Sequence, residues 1–305
     1  MVRDVKMQGA VLEIHRMALD DGPGIRTAVF LKGCRLHCPW CHNPESQSAI
    51  PELMVRVDKC KECKKCIDIC PVNNLNRMAE GFDWSKCISC FACAEVCGNG
   101  ALRVAGKVMT AEEVMNTVVL DENHYRFTNG GITLTGGDPL CQVDFSCEIL
   151  SLAKKRGIHT CVETSGVGQR NALKKLLPFT DLWLYDLKGN PDIYRRKIGI
   201  DFSIVEQGLI YLLEHKAEVI LRCPIITDVT DSDEWIIELC GFIEKMNKIY
   251  PLQDVHLLPF HRLGLDKYRA LGKISDMENA YPPGNEWMKK WNETVRQAIN
   301  EGKDE

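Results

Sequence analysis

Eleven cysteines of this 305-residue chain fall into three tight groups: Cys34, Cys38 and Cys41; Cys60, Cys63, Cys66 and Cys70; Cys87, Cys90, Cys93 and Cys97. Thiolate sulfur at spacings of two or three residues is the donor set of iron–sulfur clusters and of structural zinc. The chain holds sixteen cysteines in all, and in a reducing compartment so many are metal ligands or reactive thiols rather than disulfides. The first group stops at three. Three protein ligands leave one iron of a four-iron cluster with an open position, which is how a metal site passes from holding a fold together to binding a small ligand. Zinc closed by His42 is the competing reading, but His42 directly follows Cys41, and adjacent residues seldom fold back onto one tetrahedral ion. The other five cysteines, Cys141, Cys147, Cys161, Cys223 and Cys240, are scattered and read as inert core thiols.

The second and third groups, CKECKKCIDICP and CISCFACAEVCG, have the C-x2-C-x2-C-x3-C spacing of bacterial ferredoxins, with Gly98 where the second run would carry proline. That resemblance implies two 4Fe–4S clusters, each taking three cysteines from one run and the fourth from the other: Cys60, Cys63 and Cys66 with Cys97, and Cys87, Cys90 and Cys93 with Cys70. A pair of structural zinc sites is the alternative. Clusters closed by four cysteines have no open iron, so their chemistry is electron transfer.

These ligands need a frame. Short apolar runs at 25–31, 131–136, 157–164, 181–188, 217–226 and 254–260 read as strands, and FSCEILSLAKKRG, QRNALKKLLPF, SIVEQGLIYLLEHK and DEWIIELCGFIEKMNK between the later ones as helices. Alternating strand and helix implies an α/β fold with a parallel sheet. Six strands suit an incomplete (β/α)6-type barrel, although strand count alone does not separate it from an open doubly wound sheet. Residues 58–104 lack this periodicity and read as a small inserted ferredoxin-like domain, leaving 1–57 and 105–305 for the barrel. After it, Thr110 with Glu113 three residues on predicts a capping box opening a helix. The C-terminal EWMKKWNETVRQAINEGKDE reads as an amphipathic helix with Trp287, Val295 and Ile299 on its apolar side.

Polar residues recur where these strands end: Cys34 after the first, Gly136, Gly137 and Asp138 after the second, Glu163 and Thr164 at the third, Asp186 and Lys188 at the fourth, Arg222 at the fifth and His261 after the sixth. In parallel α/β folds that rim is where ligands bind, so residues distant in sequence are expected to converge on one pocket. Each has a bland reading alone, as a helix cap, a solvated lysine or a loop histidine; their common placement argues for a site.

Composition excludes other classes. Hydrophobic content of 45% fits a globular core, and a net charge of −4 without a basic stripe gives no electrostatic footprint for nucleic acid. No apolar run could span a bilayer, and the first residues lack a signal-peptide core, so a cytoplasmic protein without membrane partners is expected.

The motif C-x3-C-x2-C with Trp40 before its last cysteine resembles the signature of the radical S-adenosylmethionine (SAM) enzymes, and GPGIRTAVFLKGCRLHCPWCHNPES resembles that of the activating enzymes of glycyl radical enzymes. GGITLTGGDPL, CVETSG, DLWLYDLKG and VHLLPFHRLGLDKY are similar to further motifs of that family, so the resemblance runs from about residue 8 to 272 and includes the subfamily with a two-cluster insertion. It implies that the amino and carboxylate groups of SAM chelate the open iron held by Cys34, Cys38 and Cys41. One electron then cleaves SAM to methionine and a 5'-deoxyadenosyl radical, which abstracts hydrogen from a backbone glycine of a partner glycyl radical enzyme. The residues it implies around SAM are Trp40, Gly136, Gly137, Asp138, Lys188, Arg222 and His261, and a monovalent cation is implied beside Glu163, Thr164 and Asp186. Asp138 stands where the family usually has glutamate, and Glu163 where it usually has aspartate. Reduced flavodoxin or ferredoxin is the implied electron donor, and an anaerobic setting follows from the oxygen sensitivity of such clusters. Two other functions remain open from the residues: a radical SAM enzyme acting on a small molecule, and a non-catalytic iron–sulfur electron carrier.

Overall fold

The structure is a computed structural model and describes residues 7–74, 82–168 and 171–301. The expected helix QRNALKKLLPF begins, and the cysteine-rich insertion and the C-terminal helix partly run, outside those residues.

Eight strands form one sheet: β1 (Gln8–Ala18), β2 (Arg26–Leu31), β5 (Lys107–Thr110), β6 (Gly131–Gly136), β7 (His159–Thr164), β8 (Leu182–Asp186), β9 (Val219–Ile225) and β10 (Asp254–Pro259). Their order is β10-β9-β8-β7-β6-β2-β1-β5. From β2 to β10 every neighbouring pair is parallel, and these six strands are the six expected from the apolar runs. Spatial order follows chain order without reversal. A doubly wound sheet would reverse at a switch point, so the topology is the one-way winding expected of an incomplete barrel.

The antiparallel strands at one side of the sheet, β1 beside β2 and β5 at the edge beyond it, were not among the expected strands. β1 reads VLEIHRM, with charged and apolar side chains interleaved because neither face is fully covered, and only Val11 of its eleven residues is buried.

Helices Val143–Lys155, Phe202–Glu214 and Asp233–Asn247 follow β6, β8 and β9, and the shorter Ala172–Leu176 follows β7. Alternation along β8 shows both faces at work. Trp183 and Tyr185 join the main core beneath the helices, where the Tyr185 hydroxyl donates to the Val205 carbonyl at 2.7 Å, whereas Leu182 and Leu184 point inward with Cys161 and Ile220. The capping box at Thr110 is present, opening helix Ala111–Val118. The C-terminal helix Asn285–Glu301 packs on helix Asp233–Asn247 and β10. Val295 and Ile299 are buried there as expected, but Trp291 rather than Trp287 is the buried tryptophan of the seam, and both indole N–H groups donate to Asp233.

Strands β3 (Glu52–Val55) and β4 (Leu102–Ala105) form a separate antiparallel ribbon through which the chain enters and leaves the cysteine-rich segment. Its two cysteine runs fold alike. Glu62 and Ser89, each two residues after the first cysteine, both have φ 53°, and Lys64 and Phe91 both take φ 62° at the start of a short helix. The Glu62 and Ser89 N–H groups donate to Cys60 and Cys87 sulfur, both at 3.4 Å.

Candidate active site

A cavity of about 740 Å³ opens at the carboxyl ends of the parallel strands. Cys34, Cys38, Cys41, Trp40, Gly136, Gly137, Glu163, Asp186, Lys188, Arg222 and His261 all line it. The three cysteines sit on the loop leaving β2, and among the described residues no other cysteine reaches this cavity. Trp40 is buried, and its indole N–H has no partner. Burial pushes the Cys34 and Cys41 thiols up and Cys38 to about 11, with Lys188 opposing the shift at Cys38. These thiols ionise readily only when a cation compensates them.

Gly136 takes φ +104°, and a Cβ there would lie 2.5 Å from the Leu31 nitrogen; a Cβ on Gly137 would lie 2.3 Å from the Gly33 carbonyl oxygen. Both glycines are therefore required by the crossing of the loop over the end of β2, quite apart from any ligand.

Two ion pairs organise the polar wall. Lys188 Nζ donates to Asp186 at 3.0 Å, and the Lys188 N–H donates to the Tyr194 hydroxyl at 3.0 Å. Burial disfavours the Lys188 ammonium, but Asp186 outweighs it and holds the lysine charged. Arg222 stands 3.3 Å from Glu163, which keeps its guanidinium charged, and Glu163 also accepts from the Thr135 hydroxyl. Arg222 lies inside β9 rather than at its end, in register with Asp186 on β8.

Two expected residues do not line the cavity. Asp138 is fully buried, and its carboxylate accepts from the Leu140 and Ser165 N–H groups and the Thr164 and Ser165 hydroxyls at 2.7–3.0 Å. It fastens the glycine-rich loop to the end of β7. Thr164 is the other half of that fastening, so its hydroxyl is directed to Asp138. With Glu163 and Asp186 each tied to a cationic side chain, the three oxygen groups expected around a monovalent cation are already engaged, Arg222 and Lys188 supplying the positive charge. Among the described residues no group of three or more His, Cys, Asp or Glu side chains is gathered around a single ion.

Some lining residues escaped the sequence reading. Glu13 and His15 come from β1, whose alternation Leu12-Glu13-Ile14-His15 was the available signal. His42 stacks on His261 with ring centroids 3.7 Å apart, and burial together with that neighbour lowers it to about 4, so its ring is neutral at neutral pH.

The cysteine-rich segment encloses two smaller pockets. Cys60, Cys63, Cys66 and Cys97 line one; Cys70, Cys87, Cys90 and Cys93 line the other. Of the remaining cysteines, Cys161 and Cys223 are fully buried, while Cys141, Cys147 and Cys240 are partly exposed.

The sequence pattern of the Radical SAM superfamily matches residues 28–240. Relatives extend the likeness over nearly the whole chain: the (2S)-3-sulfopropanediol dehydratase activating enzyme of Klebsiella oxytoca is 36% identical over 281 residues, covering 89% of this chain and 88% of the relative. The indoleacetate decarboxylase activating enzyme of Tractidigestivibacter scatoligenes is 34% identical over 299 residues, 93% of each chain. The chain belongs to the radical SAM superfamily, among the activating enzymes of glycyl radical enzymes. A radical SAM methyltransferase from Sphaerobacter thermophilus shares the fold, with TM-score 0.53 and 15% identity over 94% of this chain and 74% of that one. No described helix is long and apolar enough to cross a membrane.

A radical SAM enzyme uses a 4Fe–4S cluster and SAM. The residues present fit both. Three soft sulfur donors, Cys38 buried and Cys34 and Cys41 half-buried, face one cavity, and the unpartnered Trp40 Nε1, His42 Nε2 and Arg222 Nε are N or N–H groups on residues of the same wall. Lys188 adds a cation suited to a carboxylate.

Proposed function

We propose that this radical SAM enzyme activates a partner glycyl radical enzyme by abstracting hydrogen from a backbone glycine, using electrons from a reduced flavodoxin or ferredoxin. The carrying observation is a single cavity of about 740 Å³ that three cysteines share with Lys188, Arg222, His261 and the glycine-rich loop. When bound, the cluster and SAM together supply one-electron cleavage and a carbon-centred radical.

The chain's own residues do the rest. Cys34, Cys38 and Cys41 hold the cluster; Lys188, kept charged by Asp186, binds the methionyl carboxylate, with His261 as a second donor. Trp40 and the His42–His261 stack give flat apolar surface, and Leu36, Phe30, Ile226 and Leu258 keep water from the reacting centre. Asp138 acts by bracing the loop rather than by touching SAM.

We further propose that residues 58–104 form a ferredoxin-like domain with two more 4Fe–4S clusters. The partition of eight cysteines into two pockets supports it: each pocket takes three cysteines from one run and the last of the other. The repeated backbone of the two runs supports it as well. Relay of electrons toward the barrel is the role assigned to them.

The test is 5'-deoxyadenosine formation by anaerobically reconstituted protein with SAM and a strong reductant, wild type against Cys38→Ala. Product that depends on Cys38 is expected. Absence of product from fully iron-loaded wild type, with and without a candidate glycyl radical enzyme, would overturn the reading.

A further inference from the structure

The two thiol-lined pockets differ in what surrounds them. Lys61, Lys64 and Lys65 form part of the wall holding Cys60, Cys63, Cys66 and Cys97, and Lys59 precedes the first of these cysteines. All four lysines are exposed, as is Cys63 among them, and no ion pair engages the four among the described residues. Residues 56–66 carry five basic and two acidic side chains in a chain whose net charge is −4, and Arg56 is already bound to Asp58 at 3.2 Å.

Among the described residues the wall of the other pocket holds no cation; Leu53, Val72, Phe82, Ile88 and Phe91 line it instead. It also reaches the barrel. Phe82 packs edge-on against Trp84 at 4.8 Å, and the Trp84 ring lies so closely over Gly272 that a Cβ there would fall 2.0 Å from the indole nitrogen. Each pocket keeps one cysteine exposed, Cys63 or Cys90, so the two differ not in access to solvent but in the lysines that rim the first and the apolar side chains that line the second.

We propose that an acidic one-electron carrier protein docks on Lys59, Lys61, Lys64 and Lys65 and delivers its electron to the group held by Cys60, Cys63, Cys66 and Cys97. The electron then passes by way of the apolar pocket toward the barrel. This rests on the relay reading above. The carrier is oxidised by one electron and the receiving group reduced by one; no bond breaks and no proton moves. Opposed charge on two small patches speeds encounter while leaving a short-lived complex, which suits a carrier that must leave after each electron. A nucleic acid would also be drawn to lysines, but an exposed thiol ligand at their centre favours an electron donor.

The test uses iron-loaded enzyme, with reduced recombinant flavodoxin of acidic surface as the probe. Wild type is compared with K61E/K64E/K65E and with K107E/K174E/K289E, which makes the same change of net charge at exposed lysines elsewhere. At low salt the first variant should bind flavodoxin about tenfold more weakly or worse and oxidise it correspondingly more slowly in stopped flow. The gap should close at high salt, where the screening length falls to about 3 Å at 1 M. Reduction of the enzyme by a neutral deazaflavin photoreductant should be unchanged. Equal affinity for all three proteins, or equal loss in both variants, overturns the docking site, as does wild type that retains a DNA duplex but not flavodoxin. If photoreduced wild type makes no 5'-deoxyadenosine with or without a candidate glycyl radical enzyme, the activation reading fails, and the flavodoxin titration still decides the docking by itself.

Discussion

Lys188 is the charge on which the cavity turns. Half-buried beside Asp186 at 3.0 Å, it is an ammonium in the cavity wall placed to meet a carboxylate entering near the three cysteines, with Lys267 a second one in the same wall. Lys188→Ala removes a charged hydrogen-bond donor and leaves Asp186 uncompensated, so SAM affinity should fall roughly ten- to a hundredfold. Anaerobic equilibrium dialysis would measure it, and an unchanged affinity would show that the carboxylate binds elsewhere. At the opposite end of the barrel, Arg26 is fully buried and donates to Thr133 and the Ile132 carbonyl at 2.6 Å, with Nη2 3.3 Å from His159 Nδ1. Burial and this guanidinium hold His159 below its ordinary range, so it stays neutral in the fold while the unfolded chain takes up a proton. Stability from this residue is therefore present above about pH 6.5 and lost as pH falls through the folded value. Thermal melts between pH 7.5 and 5.5 should show a decline that His159→Gln partly removes. That the three cysteines and Lys188 share one cavity was legible because their chemistry is tied to spacing and to strand ends. Asp138 was expected beside the cofactor, and nothing in GGDP reveals that its carboxylate turns inward to Thr164 and Ser165.

At the scale of elements, the six parallel strands were legible because each reads as an apolar run, β2, β6, β7 and β8 being buried on both faces. β1 and β5 were not, since the antiparallel margin of the sheet keeps charged side chains that hide its period. The cysteine-rich segment stood out through its cysteines rather than its strands: the ribbon β3–β4 is only four residues per strand. Its two runs make a functional prediction. Cys63→Ala with Cys90→Ala should abolish activation driven by a protein donor and leave activation by a small artificial reductant largely intact. Glycyl radical yield by electron paramagnetic resonance distinguishes this from equal loss under both reductants, which would mean that the segment only braces the docking surface.

For the whole molecule, two cores of unequal size imply two stabilities. The barrel's core runs from Val11 to Ile299, whereas the cysteine-rich segment and its ribbon gather, among the described residues, only Leu53, Val55, Cys93, Ala101 and Leu102 as a buried apolar cluster. So small a cluster does not sustain a fold without metal. Iron removal by an anaerobic chelator should open residues 58–101 to hydrogen exchange and protease while the parallel strands stay protected; equal protection in both would refute the dependence. The ribbon that joins the two cores has a further consequence. Val55 and Leu102 sit opposite one another in register, so the chain leaves the barrel and returns through a neck two strands wide. Whatever hangs from that neck closes its loop at nearly the same point, and lengthening the loop costs only about 0.6 kcal/mol per doubling. The strands beyond it keep their register whether the excursion is long or short. A fold built this way can gain, exchange or shed the module carried on that neck over evolutionary time without redrawing the chamber at the strand ends.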